Sequence, residues 1–138
     1  MVKDKPIVAR IGSIYFIDLG IEVDHRIARK RPSVVVENNE RNVTVYAFTH
    51  DDGSPPKRSE IKVPKGVGGL KRNSKIKLGQ TITIDRKHII HYIGELPDKY
   101  LEEIQDYILY KGIIKKLKSI IKRRRTRFNS INTASPTC

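Results

Sequence analysis

Short apolar runs separated by turn-forming residues fill most of the first 95 positions of the chain. The valine block after Pro32 indicates a strand buried on both faces, and the alternation of Val43–Thr49 indicates a strand that pairs back on it. β-Branched and aromatic residues extend this pattern to six predicted strands. They are Ile11–Leu19, Pro32–Glu37, Val43–Thr49, Glu60–Val63, Ser74–Ile84 and His88–Ile93.

The apolar spacing changes to three and four residues near Pro97, which suits the first position of a helix. Leu101, Ile104 and Ile108 form the apolar stripe of this helix. Gly112 is expected to weaken the helix, although the spacing resumes beyond it. Short strands followed by one major helix predict an α+β fold with a small twisted or barrel-like sheet.

Two segments are predicted to be exposed loops, residues 20–31 and residues 50–58. Loops of this length are often functional. Pro32 lacks a backbone N–H and is expected at the first residue of its strand. Arg31 is therefore expected to be held at the start of the strand. An arginine held in this way can grip a phosphate with paired donors. A solvated loop arginine remains the alternative.

The charge of the chain indicates an anionic partner. The formal net charge is +13, from 28 basic and 15 acidic residues. Residues 111–138 carry nine Lys and Arg and no Asp or Glu, which leaves +4 (13 less 9) for residues 1–110. The chain is therefore expected to divide into a body, residues 1–112, and a basic helical extension with a frayed end, residues 113–138.

Cysteine usage and hydropathy indicate a cytoplasmic protein. Cys138 is the single cysteine, so no disulfide can form within the chain. The first ten residues lack the apolar run of a signal peptide, and no stretch approaches the roughly 18 apolar residues of a membrane span.

Five sequence blocks, in order, resemble the MazF/PemK/Kid toxin family. They are Gly12–Leu19, Arg31–Val36, Gly69–Lys71, Gln80–Asp85 and Ile93-Gly94, and the resemblance covers about residues 10–112. It implies a small SH3-like β-barrel with a long C-terminal helix, of the CcdB/PemK type, that works as a homodimer. It also implies a sequence-selective endoribonuclease that needs neither metal nor cofactor, cleaves single-stranded mRNA and is neutralised by a cognate antitoxin.

The resemblance also implies which residues act. The family's key arginine falls on Arg31 and its key threonine on Thr49, and both are expected to be catalytic. The substrate-binding residues are expected to be His25, Arg29, Lys30, His50, Gln80 and Thr83. The chain departs from the family at three positions, because a small residue is usual at Arg29, a glutamine near Ile27 and an arginine at Ile82.

Cleaving RNA without a metal needs a base for the 2′-hydroxyl, donors for the charge that grows on the phosphorane, and an acid for the leaving 5′-oxygen. Arg31 suits charge stabilisation, because a free guanidinium with a pKa above about 12 is a poor base. Thr49 offers a hydroxyl donor at a strand end, unless it is present only for its strand propensity. His25 and His50 can act as acid or base, or can be ordinary loop histidines.

Other patterns in the sequence are weaker. His88 and His91, three residues apart on a predicted strand, should point to opposite faces rather than share a site. Pro64–Gly69 resembles a phosphate loop only superficially, and no residue cluster has the spacing of metal ligands. The body could also be a non-catalytic nucleic-acid- or protein-binding module, like the gyrase inhibitors on related scaffolds.

The segment Lys111–Arg127 has apolar residues at helical spacing with cations between them. Such a basic amphipathic helix can bind a membrane, nucleic acid or the groove of a partner, or can simply be solvated. Extra electrostatic grip on RNA is the favoured interpretation, and a membrane-active effector is the rival.

Overall fold

The structure, a computed structural model, describes residues 8–20 and 30–131, without the side chains of residues 126–131. Its strands are β1 (Ser13–Asp18), β2 (Lys30–Asn38), β3 (Asn42–His50), β4 (Glu60–Val63), β5 (Ser74–Lys77), β6 (Ile82–Asp85) and β7 (Ile89–Glu95). One helix, α1, spans Asp98–Ile131. Two short 3₁₀ turns, Val67–Gly69 and Arg86–His88, precede β5 and β7.

The seven strands form one mostly antiparallel, barrel-like sheet, and with the C-terminal helix they confirm the expected fold class. The main strand order is β4-β5-β3-β2-β1-β7. The long strand β3 has two partners on one side, since β6 pairs with its first residues, Asn42–Val45, and β5 pairs with its last, Phe48–His50.

The single predicted strand Ser74–Ile84 is wrong, because the chain forms β5 and β6 with a turn at Leu78–Thr81 between them. Both strands pair with β3, but with opposite ends of it. The turn is held in place by Leu78, which is buried and whose backbone N–H donates to the Ser59 carbonyl at 2.8 Å. The pattern therefore predicted the strands on both sides of the turn but not the turn itself.

Pro32 is the third residue of β2 rather than its first, since the strand begins at Lys30. Pro32 pairs with Phe16 of β1, whereas the pairing of β2 with β3 ends at Ser33 opposite Ala47. At Pro32 the strand thus has one paired neighbour, and this is where a residue without an N–H can be tolerated. His88 also differs from expectation, because it lies in the 3₁₀ turn before β7.

One cluster of buried core residues is made of aliphatic side chains with one aromatic ring. Its members are Ala9, Tyr15, Ile17, Leu19, Val35, Val43, Val45, Ala47, Ile82 and Ile89. Ile82 is the residue that stands where the family usually has an arginine, and here it is 6% exposed. This departure replaces a charge with a core side chain.

Residues up to Glu103 form one compact unit, which holds the whole sheet, and residues from Ile104 form a second. α1 continues without a break past Gly112, where the sequence predicted weakening. Within the described part of the chain, no helix has the length and apolar character needed to cross a membrane. The expected boundary at residue 112 stays a prediction.

Candidate active site

The strands β2 and β3 separate at one end, and a pocket opens between them. Beyond the Ser33–Ala47 pair, residues 30–32 of β2 pair with β1, whereas Phe48–His50 of β3 pair with β5. The two strands are therefore drawn toward opposite neighbours. The resulting cavity has a volume of about 500 Å³.

The pocket is lined by apolar, cationic and uncharged polar residues. Phe16, Pro32, Phe48, Leu70 and Ile93 supply the apolar surface. Four cations line it, namely Lys30, Arg31, Lys71 and Arg72, together with Thr49, His50, Gly69, Ser74 and His91. Since none of these lining residues is Asp or Glu, the local charge favours an anionic ligand with an apolar or aromatic part.

Arg31 and Thr49 lie on the two strands where they diverge. If the register of the Ser33–Ala47 pair is continued by two residues, Arg31 falls opposite Thr49. Both are half-buried and both line the pocket. The Nε atom of Arg31 is buried and has no hydrogen-bond partner among the described residues.

Lys30 and His50 occupy the next positions outward, where the same continued register brings them opposite each other. Both are exposed and both line the pocket. The four expected site residues on β2 and β3 thus surround one cavity.

Gln80 and Thr83, the other expected site residues that the structure describes, do not line this pocket. Gln80 is exposed in the turn before β6. The Thr83 hydroxyl lies 2.9 Å from the hydroxyl of Thr44 on the neighbouring strand β3. His25 and Arg29 lie outside the described residues.

The sequence analysis did not place Lys71, Arg72 or His91 at the site, and it considered His91 only as a possible partner of His88. His91 lies on β7 opposite Phe16 of β1, and the two rings stack with centroids 5.3 Å apart and planes inclined by 25°. Lys71 belongs to the Gly69–Lys71 block noted in the sequence, so that block was a signal for it. His91 could be found only from the register of β7 on β1.

A contact between three glycines fixes the segment that carries Lys71 and Arg72. Gly68 and Gly69 have positive φ angles of 62° and 83°, a conformation that glycine adopts readily. A Cβ atom added to Gly94 on β7 would lie 2.3 Å from the Gly68 carbonyl oxygen, so backbone rests directly on backbone. We call this contact of Gly68, Gly69 and Gly94 the glycine clasp. It sets the 3₁₀ turn against β7 and places the next residues, Leu70–Arg72, at the pocket.

A buried lysine organises the loop that follows Thr49. Lys75 of β5 pairs with Thr49, and its ammonium group lies 3.8 Å from Asp51, 3.4 Å from Asp52 and 3.9 Å from Glu60. It also donates to the Ser54 hydroxyl at 2.8 Å. These carboxylates are engaged by Lys75 rather than lining the pocket.

The pKa values of two of these carboxyls are lowered. The hydroxyl and backbone N–H of Ser54, followed by Lys75, hold the pKa of Asp52 well below its usual range. The backbone N–H of Lys57, followed by the Lys77 ammonium, lowers the pKa of Glu60. Both groups are therefore anionic at neutral pH, as their pairing with lysines requires.

The pocket combines hydrogen-bond donors, positively charged side chains and an aromatic surface. Arginine, lysine and hydroxyl groups can hold a phosphodiester, and the Phe16–His91 pair offers a surface on which a nucleobase can stack. In the described ranges, no group of three or more His, Cys, Asp or Glu side chains could hold a metal ion.

The chain resembles known proteins in sequence and in fold. Residues 10–110 match a family model described as PemK-like, MazF-like toxin of type II toxin-antitoxin system. Among solved structures, a Mycobacterium tuberculosis toxin MazF-mt6 superposes with a TM-score of 0.56 at 21% identity, covering 70% of this chain and 91% of its own. The MazF of Deinococcus radiodurans has a TM-score of 0.58 at 18% identity, with 73% and 93% covered.

A mycobacterial endoribonuclease in complex with its cognate antitoxin has a TM-score of 0.58 at 16% identity, covering 72% of this chain and 90% of its own. At these identities the likeness shows a shared fold. No curated protein sequence matches the chain closely.

Proposed function

Because the chain belongs to the family of PemK-like, MazF-like toxins of type II toxin–antitoxin systems, we propose that it is a sequence-selective endoribonuclease. It cleaves single-stranded mRNA in the cytoplasm without a metal ion, works as a homodimer, and is neutralised by a cognate antitoxin protein. The mycobacterial endoribonuclease that shares its fold, and that was solved with its antitoxin, supports this proposal.

The observation that carries the proposal is the meeting of Arg31 and Thr49 in one cationic pocket. These two residues come from different strands and are separated by 17 intervening positions, yet both line the cavity where the strands separate. Among the described residues that line the cavity, none is a carboxylate that would repel a phosphodiester. The strand backbone holds both residues, so little reorganisation is needed when RNA binds.

In the proposed reaction the 2′-oxygen of a ribose attacks the adjacent phosphorus while the bond from phosphorus to the 5′-oxygen breaks. A base accepts the 2′-hydroxyl proton, and an acid returns a proton to the leaving 5′-oxygen. The products are a 2′,3′-cyclic phosphate and a 5′-hydroxyl. No water or metal enters this step, so the atoms and charges balance with the two proton transfers alone.

Six of the pocket residues have a role in this scheme. Arg31 holds two phosphate oxygens and stabilises the phosphorane's charge, and Thr49 donates its hydroxyl to a non-bridging oxygen. His50, exposed at the pocket, transfers one of the protons, as His25 would from the loop before β2. Lys30, Lys71 and Arg72 draw in the flanking phosphates.

The decisive experiment incubates the purified protein with a long single-stranded RNA in excess chelator. The wild-type chain is expected to release fragments with 2′,3′-cyclic phosphate ends. Arg31→Ala should lower the cleavage rate by 100-fold or more, in line with the roughly 10²–10³-fold cost of losing one charge-stabilising donor. Arg31→Lys should recover little, since lysine lacks the paired donors.

Arg41→Ala is the matched control, because Arg41 is an exposed arginine in the turn at the other end of β2. It should cleave at the wild-type rate. Intact RNA with the wild-type chain, or equal rates for Arg31→Ala and Arg41→Ala, would refute the proposed catalysis. Tight RNA binding without cleavage would instead support a non-catalytic binding module.

A further inference from the structure

The polar side chains that line the pocket are rich in hydrogen-bond donors. Lys30, Arg31, Lys71 and Arg72 can donate but cannot accept. Among the described residues of the lining, none is Asp, Glu, Asn or Gln, the side chains whose oxygens accept most readily. Besides attracting phosphates, this excess of donors therefore acts on any nucleobase that enters the pocket.

The aromatic surface of the pocket lies one nucleotide away from Arg31. His91, Phe16 and Pro32 are direct neighbours across β7, β1 and β2. Since adjacent strands lie about 4.8 Å apart, His91 is about 10 Å from β2, a distance that a ribose and its base can bridge. His91 is exposed and its ring is already stacked on Phe16. A base whose phosphate is held by Arg31 can therefore extend this stack.

Two of the cations lie beside this aromatic surface. A Cβ atom added to Gly69 would be 2.7 Å from the Ile93 carbonyl oxygen, so the chain passes directly over β7 at this point. Ile93 and His91 are two residues apart on β7, and both line the pocket. Lys71 and Arg72 follow Gly69 closely and are exposed at the pocket. The edge of a base stacked on His91 therefore faces these two cations.

The backbone around Lys71 and Arg72 offers a base few acceptors, because three of its carbonyl groups already accept hydrogen bonds within the protein. They are the carbonyls of Leu70, Arg72 and Asn73, which accept at 2.8, 3.0 and 3.0 Å from the Gly66 N–H, the Ser74 hydroxyl and the Asp51 N–H. The segment thus presents the donors of two cationic side chains more readily than acceptors.

This excess of donors distinguishes the nucleobases by their exocyclic groups. Uracil carries the O4 oxygen where cytosine carries an amine, and guanine carries the O6 oxygen where adenine carries an amine. An arginine or lysine donates to such an oxygen, whereas against an amine it sets one N–H group against another. In single-stranded RNA these edges are unpaired and open to contact.

We infer that the pocket selects a keto base, uracil or guanine, next to the cleaved phosphodiester. The base stacks on His91, and Lys71 or Arg72 donates to its exocyclic oxygen. This inference rests on the proposed binding of single-stranded RNA. It is tested by binding to oligonucleotides that cannot be cleaved, so that base selection and cleavage are measured separately.

The test uses the full-length chain and fluorescently labelled 2′-O-methyl oligonucleotides of nine residues, in which the attacking 2′-oxygen is blocked. One pair compares uracil with cytosine. The second pair compares hypoxanthine, which has the O6 and N7 atoms of guanine, with adenine, and abasic residues separate the purines to prevent self-association. Anisotropy should show the keto base binding about 10-fold or more tightly in at least one pair, as for one specific base contact. The pair that responds identifies uracil or guanine.

The double variant Lys71→Met and Arg72→Met separates base selection from attraction of phosphates. Its affinity for the preferred oligonucleotide should fall until the keto and amino bases of that pair bind equally. Lys65→Met is the control, because Lys65 is an exposed cation of the preceding loop that does not line the pocket. It should keep the wild-type ratio. If the double variant weakened both oligonucleotides equally and kept their ratio, the two cations would contact phosphates alone and the inference would be wrong.

Two variants of His91 test the stacked base. His91→Ala should weaken binding of the preferred oligonucleotide by about 5-fold or more, the usual effect of losing one base stack. His91→Phe should restore most of the affinity, since it keeps a ring on Phe16. Equal weakening in both variants, or wild-type affinity in His91→Ala, would contradict stacking on His91.

The comparison of bases uses the wild-type chain, so it does not depend on any variant folding. Equal affinities within both pairs would overturn the inference even if the chain cleaves RNA. Selective binding by a chain that leaves ordinary RNA intact would refute the nuclease and support the inference. Absence of binding to all four oligonucleotides would refute both.

Discussion

At the scale of single residues, Lys75 binds nearby carboxylates that are not part of the cationic pocket. Its side chain is 5% exposed, and an isolated ammonium at such a site would be strongly unfavourable. Asp51 and Glu60, whose side chains are 13% and 8% exposed, compensate it together with Asp52 and Ser54. The arrangement gathers three carboxylates on the loop side of β5, while the pocket next to Thr49 keeps its positive charge.

Lys75→Met is expected to lower the free energy of unfolding by about 3 kcal/mol, because it leaves partly buried carboxylates without their central cation. Urea denaturation followed by circular dichroism measures the change. Lys62→Met is the matched control, since Lys62 is 43% exposed and only 3.9 Å from Asp51, a pair whose loss should cost under about 1 kcal/mol. Equal losses for the two variants would show that Lys75 is not the centre of the cluster.

At the scale of elements, two features of the backbone form the site. The divergence of β2 and β3 opens the pocket, and the glycine clasp delivers Lys71 and Arg72 to it. The three glycines therefore act on the site through backbone geometry alone.

Gly94→Ala is expected to destabilise the protein by about 1–3 kcal/mol, as overpacking does, because its methyl group would overlap the backbone at Gly68. Thermal denaturation measures the loss, and RNA affinity should fall with it as Lys71 and Arg72 are displaced. Gly79→Ala provides the control, since its added Cβ would meet only the Ser59 side chain at 3.8 Å. A melting temperature for Gly94→Ala equal to that of Gly79→Ala would contradict the clasp.

Local patterns predicted most elements of this fold but not their mutual positions. The sequence Arg-Pro-Ser-Val-Val-Val was enough to predict β2 and the position of Arg31 near its end, and the alternation of Val43–Thr49 predicted β3. The bend between β5 and β6 could not be predicted, because it follows from two segments pairing with opposite ends of β3. The presence of His91 and Arg72 at the pocket could not be predicted for the same reason, since only the assembled sheet brings them there.

At the scale of the whole molecule, charge is distributed so that two distinct surfaces attract anions. Of the net charge of +13, nine cations lie from residue 111 onward, while the pocket holds four of its own. Single-stranded nucleic acid responds to such cations through counterion release, so affinity should fall steeply with salt.

If the basic extension grips RNA, a variant in which Lys111, Lys115, Lys118 and Lys122 are all replaced by Gln should bind RNA more weakly than the wild-type chain and with a flatter salt dependence. If all four lysines contact phosphates, the slope of log K against log salt should decrease in magnitude by about 2.8. Anisotropy titrations from low to high salt measure this slope, and a control variant in which the exposed Ile113, Leu117 and Ile121 are replaced by Gln should keep the wild-type value. An unchanged slope in the fourfold lysine variant would show that the extension does not bind RNA.

The glycine clasp has a consequence for genetics. If cells are made to produce this protein and only those that escape its toxicity survive, escape should not be confined to codons for residues that touch RNA. Mutations at codon 94 should also be found, since any side chain at this position displaces the turn before Lys71 and Arg72 from its contact with β7. The protein in such survivors would still contain Arg31 and Thr49, and its loss of toxicity would be due to the replacement of a residue that has no side chain.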